Sequence, residues 1–432
     1  MSTKSEITRY LLIGLETAPF LTLIELRGKS MSALLKGIIK TALLAFATLN
    51  LAACLPEVEL SELEQDQEET PSFVETNGKI LSLPNTTFDY VSYAETNLPQ
   101  HFLSGDDSAI NHDNSPDHNP ISNTGATLGR VLFYDDALSI NDAVSCASCH
   151  KQNTGFTDEA VLSEGFQGGL TGRHSMSLAN NRFYGSGHFF WDERADTLED
   201  QVLMPIQDDI EMGMTLDTLV IKLTQLDYYP ELFFNAFGSE DITTERISLA
   251  LAQFTRAMVS YQSKYDDALV SASTSNISEN DLSHVLSHDE EAGRKLFELL
   301  PAEGGFGCGG CHSTVAQITN APHNIGLDTT NMDEGAGNGE FKVPSLRNVE
   351  VSAPYMHDGR FEKLEDVINH YNNGIQDNPD LSPFLRNPVT GEPARFNMSK
   401  KEKHQLKAFL KALTDDHFLN SDLFSNPFQS DS

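Results

Sequence analysis

The chain has 432 residues, of which 39% are hydrophobic and 9% aromatic. That is enough apolar material for about two or three packed domains and too much for a disordered polymer. With 63 acidic against 29 basic side chains the formal charge is −34, a field that repels a phosphate backbone, so nucleic acid is excluded as a partner and neutral or cationic ones are favoured.

From the N-terminus, Lys36 and Lys40 precede an apolar run, Thr41 to Ala53, that closes in Leu51-Ala52-Ala53-Cys54. The run is too short to span a bilayer at about 1.5 Å per residue but has the form of a signal-peptide core, and its end resembles a bacterial lipobox. Residues 1–54 are therefore expected to be a signal region with translation starting at Met31 and lipid attached at Cys54. Leu55, not an acidic residue, follows the cysteine, which points to the periplasmic side of a Gram-negative outer membrane, with membrane contact only through the anchor. Glu57, Glu59, Glu62, Glu64, Asp66, Glu68 and Glu69 follow without a basic neighbour; such a stretch cannot bury a core and opens a self-repelling acidic linker over 55–100. His112, Asp113, Asp117 and His118 stand in a polar run that reads as a solvated loop rather than a metal site.

The remaining cysteines form two identical patterns, Cys146-Ala147-Ser148-Cys149-His150 and Cys308-Gly309-Gly310-Cys311-His312. C-x-x-C-H is the signature of covalent c-type haem attachment: two thiols at that spacing reach both vinyl groups, and the adjacent histidine reaches the iron. Zinc would need His150 and His312 to join the cysteines as ligands, and neither zinc nor a thioredoxin-like dithiol pair explains two C-x-x-C-H units so far apart. The surrounding periodicity is helical. Ile247, Leu251, Phe254, Met258 and Tyr261 recur as on a core-facing helix, and Ser287 with Glu290 makes a capping box before Ala292, Leu296, Phe297 and Leu300. Ser399 with Glu402 makes another before Leu406, Phe409, Leu410 and Leu413. No convincing alternating strand series is present. The expectation is a mostly α protein of two cytochrome c-like domains, each with one covalent c-type haem and long irregular loops: 101–280 the N-terminal haem domain, 281–420 the C-terminal haem domain, 421–432 a tail.

From Leu128 to Leu413 the chain resembles the bacterial dihaem cytochrome c peroxidases and their relative MauG. The resemblance rests on L-G-R-V-L-F-Y-D from Leu128, S-C-A-S-C-H from Ser145, F-W-D-E-R-A from Phe190, P-I-Q-D-D-I-E-M from Pro205, V-P-S-L-R-N-V from Val343 and A-P-Y-M-H-D-G from Ala353. It implies that His150 is the proximal ligand of the peroxide-binding haem and His312 that of a second, electron-relaying haem. Glu211 matches the distal acid–base glutamate, with Gln201 and Pro205 completing the distal pocket, and Trp191, the sole tryptophan, matches the residue between the haems. Peroxidases that need prior reduction carry a distal histidine after the first motif; between Lys151 and Arg173 there is none, and Phe166 stands in its place. The first haem is thus expected to be open, as in MauG. For the second, the ligand position twelve residues past Gly359 is Tyr371, as in MauG; Met356 is the alternative, with His357 and His370 behind it. The family often holds a calcium ion through an asparagine after an arginine and carbonyls of T-x-P; here Arg173 is followed by His174, a poor partner for a hard cation, and Ser352-Ala353-Pro354 replaces T-x-P but keeps its carbonyls, so one calcium ion stays open as a cofactor beside the two haems.

The resemblance implies a MauG-like dihaem enzyme that uses hydrogen peroxide to oxidise aromatic residues of a partner protein through high-valent haem, similar to the methanobactin-associated MauG homologue. The alternative is a cytochrome c peroxidase that reduces hydrogen peroxide with electrons from a small redox protein, a cytochrome c or a cupredoxin. A plain dihaem electron carrier would need neither Glu211 nor an open first haem.

Overall fold

The computed structural model of the chain describes residues 72–76, 79–105 and 108–429; Met31, Cys54 and the acidic run 57–69 lie outside the described residues. The described part is mostly helical with long irregular connections. Among the described residues, no helix is long and apolar enough to cross a membrane.

Contrary to expectation there is one hairpin, β1 (Ser72–Thr76) and β2 (Lys79–Leu83), paired antiparallel with Val74 opposite Leu81. Local alternation misses it because its outer partner is distant in sequence: Ser82 N–H donates to Pro427 O (2.8 Å) and Gln429 N–H to Ile80 O (2.9 Å). Residues 79–100 are accordingly packed rather than linker-like, with Leu81, Tyr90, Tyr93 and Leu98 buried; the acidic composition ends at Glu69. Residues 421–429 are likewise held: Tyr90 and Tyr134 donate their hydroxyls to Leu423 O and Phe424 O (both 2.7 Å), and the Arg130 guanidinium donates to Ser425.

The helices that frame the rest are α1 (Asn123–Tyr134), α2 (Tyr229–Phe237), α3 (Thr244–Ala257), α4 (Lys264–Ser275), α5 (His288–Glu298) and α6 (Lys400–Lys411). Their starts follow the sequence. Ser122 Oγ caps α1 at Gly125 N–H, and the Ser287/Glu290 and Ser399/Glu402 boxes open α5 and α6. Helix α3 stops at Ala257, short of Tyr261, because the following backbone is drawn away: Ser260 N–H donates to Asn180 Oδ1 and Gln262 N–H to Asp415 Oδ2, each 2.9 Å.

Two helix crossings use one device. In α1, a Cβ on Gly129 would sit 2.0 Å from Ala250 O of α3; in α5, a Cβ on Gly293 would sit 1.9 Å from Gln405 O of α6. Only glycine permits such backbone approach. Each glycine opens the same Gly-Arg-x-Leu-Phe string, 129–133 and 293–297, and each faces a phenylalanine one turn on, Phe254 or Phe409. The apolar core divides likewise: one cluster gathers Leu132, Phe133, Phe156 and Phe254 together with Phe418 and Phe424 from the chain's end, and the other gathers Leu269, Phe297, Leu406 and Phe409. Arg347, buried, pairs with Asp266 and donates to Ser263 Oγ and Val315 O. A buried guanidinium without its carboxylate would cost several kcal/mol, so this pair fixes the loop after Cys311 against the start of α4.

Candidate active site

Both C-x-x-C-H segments are short turns that present two thiols and an imidazole. Cys146–Cys149 is a single helical turn capped by Ser145 with Ser148; Cys308–Gly310 is a tighter turn entered through Gly307 at φ +68°. Cys146, Cys149, Cys308 and Cys311 are free, not disulfide-bonded, and burial pushes the Cys146 and Cys308 thiols up to about 12.

The imidazoles are fixed by a shared arrangement that the sequence did not announce. His150 Nδ1–H donates to Phe156 O (2.9 Å) and His312 Nδ1–H to Gln317 O (3.4 Å). The accepting residues both lie in the left-handed region, Phe156 at φ +61° and Gln317 at φ +53°, a conformation that costs a non-glycine residue about 1–2 kcal/mol. The Phe156 ring is held there by Phe133, Phe418 and Phe424 at 5.5–6.4 Å. With the proton on Nδ1, Nε2 carries the lone pair a metal needs. Burial keeps both rings neutral, pushing His312 down to about 4 and His150 down as well.

The second motif opens on a cavity of about 390 Å³ lined by Cys308, Cys311, His312, Tyr371, Met356 and His357. Paired thiols, a neutral imidazole and an apolar enclosure fit a haem. Burial and the neighbouring thiols push the Tyr371 phenol well up, so a phenolate there requires a cation such as ferric iron beside it. Met356 and His357 share the wall, but the His357 ring is stacked on Phe341 (centroids 3.6 Å apart). His370 Nε2 donates to Ile325 O (3.0 Å), and His370 is not among the lining residues.

Opposite the first motif stands the loop of Glu211. Asp208 organises it, accepting from Ile210 N–H (2.8 Å) and Glu211 N–H (3.0 Å) on Oδ1 and from Gly213 N–H (2.8 Å) on its carbonyl. Burial first, and then the Asp208 charge, push Glu211 up to about 7, with Arg194 opposing. Glu211 in turn acts electrostatically on both Cys146 and Cys149, which places its carboxyl near them. Gln201 ends the turn Leu198–Gln201, and Pro205 lies in the next turn, Met204–Gln207; both are half-buried. Phe166 N–H donates to Glu211 O (3.0 Å), and a Cβ on Gly213 would meet the Phe166 ring at 2.4 Å. The residue bonded to the Glu211 backbone is thus a phenylalanine, whose ring packs on Gly213 and cannot ligate iron.

Trp191 lies on the wall of the second cavity. Its Nε1–H donates to His174 O (2.8 Å), and its carbonyl accepts from Lys342 N–H (2.9 Å). The residue after His174, Ser175, donates Oγ–H to Cys149 O (2.8 Å), so two hydrogen bonds and the His174–Ser175 peptide link Trp191 to the first motif. His174 itself is buried, its Nδ1–H directed at Ala160 O and Val161 O (3.1 and 3.2 Å) and its Nε2 3.0 Å from Thr157 Oγ1. A hard cation wants six to eight oxygen ligands; a ring engaged on both nitrogens supplies none, so this position does not fit calcium. In the polar loop, Asp113 is consumed by Arg182 and His112 contacts Asn320; among the described residues no group of three His, Cys, Asp or Glu side chains could hold a metal.

A profile of the family described as di-haem cytochrome c peroxidase matches residues 123–274. Methylamine utilization protein MauG of Methylorubrum extorquens is 36% identical over 309 residues, covering 69% of this chain and 80% of that one. The cytochrome c551 peroxidase of Nitrosomonas europaea is 33% identical over 310 residues, covering 67% of this chain and 80% of its own. Among solved structures, a MauG-like protein associated with microbial copper homeostasis superposes with a TM-score of 0.61 at 32% identity, covering 73% of this chain and 96% of that one. With its paired C-x-x-C-H segments set in one fold with these relatives, the chain belongs to the family of dihaem cytochrome c peroxidases and MauG, oxidoreductases that act with peroxide.

Proposed function

We propose that this member works in the MauG manner, using hydrogen peroxide to oxidise a partner protein rather than to drain electrons from a small cytochrome. The observation that carries the reading is the hydrogen bond from Phe166 N–H to Glu211 O: the residue at the family's distal-histidine position is a phenylalanine, held beside the loop of a carboxyl raised to about 7, and it supplies no imidazole to block the iron. Cys146, Cys149 and His150 would hold one haem c, and Cys308, Cys311 and His312 the other, with Tyr371 as the further ligand of the second. The haems supply the redox chemistry, accepting two oxidising equivalents from peroxide.

The chain supplies the rest. Glu211, poised near neutrality, takes a proton from the entering peroxide and returns it to the leaving oxygen, while Gln201 and Pro205 flank that pocket. Phe156 and Gln317 hold the two imidazoles in the ligating tautomer. Trp191, with its N–H tied to His174 O, offers an oxidisable ring between the sites. A phenolate at Tyr371 favours higher oxidation states more than a thioether such as Met356 would. Likeness to a protein named cytochrome c551 peroxidase keeps the donor-driven peroxidase as the second reading. Lipidation at Cys54 and a periplasmic, outer-membrane location rest on the segment Met31–Cys54 alone.

The deciding experiment adds hydrogen peroxide to the diferric holoenzyme with no reductant present. Rapid stoichiometric consumption with a lasting near-infrared absorption change is expected; reaction only after one haem has been reduced overturns the reading.

A further inference from the structure

The dipeptide His174-Ser175 has more contacts with functional parts than its place in a loop suggests. His174 O holds the indole N–H of Trp191 (2.8 Å), and His174 N–H donates to His357 O (2.7 Å) on the second cavity's wall. Ser175 Oγ–H donates to Cys149 O (2.8 Å) and lies 3.2 Å from His150 Nδ1. Two residues therefore touch the first motif, the sole tryptophan and the second cavity. What keeps this backbone in place is the His174 side chain, 5% exposed. Its Nδ1–H is directed at two carbonyls of the 160–161 turn, and its Nε2 lies 3.0 Å from the Thr157 hydroxyl, whose one proton is shared between that nitrogen and Ser175 O at 2.7 Å. The turn it grips is itself pressed on the second cavity's loop: a Cβ on Gly359 would lie 2.9 Å from Val161 O.

We propose that the His174 imidazole, at the sequence position where the family resemblance puts a calcium-ligating asparagine, is an all-protein cross-link to the 157–161 segment, and that it is the positioning residue for Trp191. The ring does by hydrogen bonds what a divalent ion would do by coordination. Ala160 O and Val161 O accept from its N–H, and the imidazole presents no oxygen to a cation. The chain has thus exchanged a tie that chelators remove for one they cannot. The inference rests on the reading that Trp191 connects the two sites, but it concerns the resting protein.

Having one tryptophan makes the test specific, because every indole signal belongs to Trp191. In the diferric holoenzyme, without peroxide, ultraviolet resonance Raman reads the hydrogen bond of its N–H, and elemental analysis reads calcium after dialysis against calcium chloride. The expected results are no stoichiometric calcium, an indole band unmoved by EGTA, a shift of that band toward the free N–H position in His174→Ala, and partial recovery in His174→Gln, whose amide can still donate to the carbonyls. One tightly held calcium per chain, a band that EGTA moves, or a His174→Ala band identical to wild type overturns the proposal. If His174→Ala does not fold, the calcium content, the EGTA response and His174→Gln still decide. Because no peroxide is used, a protein that passes this test and then ignores peroxide defeats the functional reading alone.

Discussion

The acid–base role of Glu211 can be tested by pH alone. Burial and the Asp208 charge raise this carboxyl to about 7, against about 4.3 for a free glutamate. About a tenth of chains would then carry the carboxylate at pH 6 and about nine tenths at pH 8. A base must be ionised to accept the peroxide proton, so the second-order rate constant should climb about tenfold between those limits; an unperturbed glutamate would give a flat line. Stopped-flow mixing of diferric holoenzyme with peroxide measures it. Glu211→Gln should lose the limb and about 10²–10⁴-fold in rate. Asp208→Asn keeps an oxygen for the two loop N–H groups but removes the charge, so the limb should move to lower pH; Arg194→Gln should move it up. The sign holds for stability as well: a carboxyl with a raised folded pKa favours folding below its unfolded value, and that contribution is lost as pH rises through about 7. A flat wild-type profile, or Asp208→Asn and Arg194→Gln shifting in the same direction, would show that Glu211 is not the titrating base.

Tyr371→Phe should change the electronic spectrum of the second haem while Met356→Leu leaves it intact; the reverse pattern moves the ligand to Met356. Gly129→Ala and Gly293→Ala should each be strongly destabilising, because the new methyl lands about 2 Å from a carbonyl oxygen, and calorimetry should find folded protein scarce in both. Phe418→Ala should cost about 3–5 kcal/mol in denaturant unfolding and also loosen Phe156, whose carbonyl fixes His150, so the first haem's spectrum should broaden before the second's.

What was readable in the sequence was what is local. C-x-x-C-H, the Ser287/Glu290 and Ser399/Glu402 boxes and the Ile247–Phe254 part of the periodic face of α3 each sit within one turn or one helix, and the structure has them where the spacing puts them, though α3 ends before Met258 and Tyr261. The hairpin was not readable, because β2 has its second partner at Pro427–Gln429. Nor were Phe156 and Gln317: left-handed backbone is normally signalled by Gly or Asn, and here phenylalanine and glutamine are forced into it by their surroundings. His174 was visible as a departure from the family pattern, yet its meaning depends on Thr157, Ala160 and Val161, which only the folded loop brings to it.

The way the chain's end returns to its beginning has a consequence for biogenesis. Phe418 and Phe424 fill the core around the first haem motif, and Gln152, two residues past His150, donates to Phe418 O and Ser421 O. The first site is thus started early in synthesis and cannot be completed until residues 418–424 have been delivered, whereas the second has its α5–α6 crossing in hand sooner after its own motif appears. Sequential, domain-by-domain maturation is therefore inverted here. The later-made half can close first, and the earlier-made pocket stays open to a haem-loading apparatus until the 418–424 segment seals it. A truncated chain would in this way forfeit its first haem site, not its last.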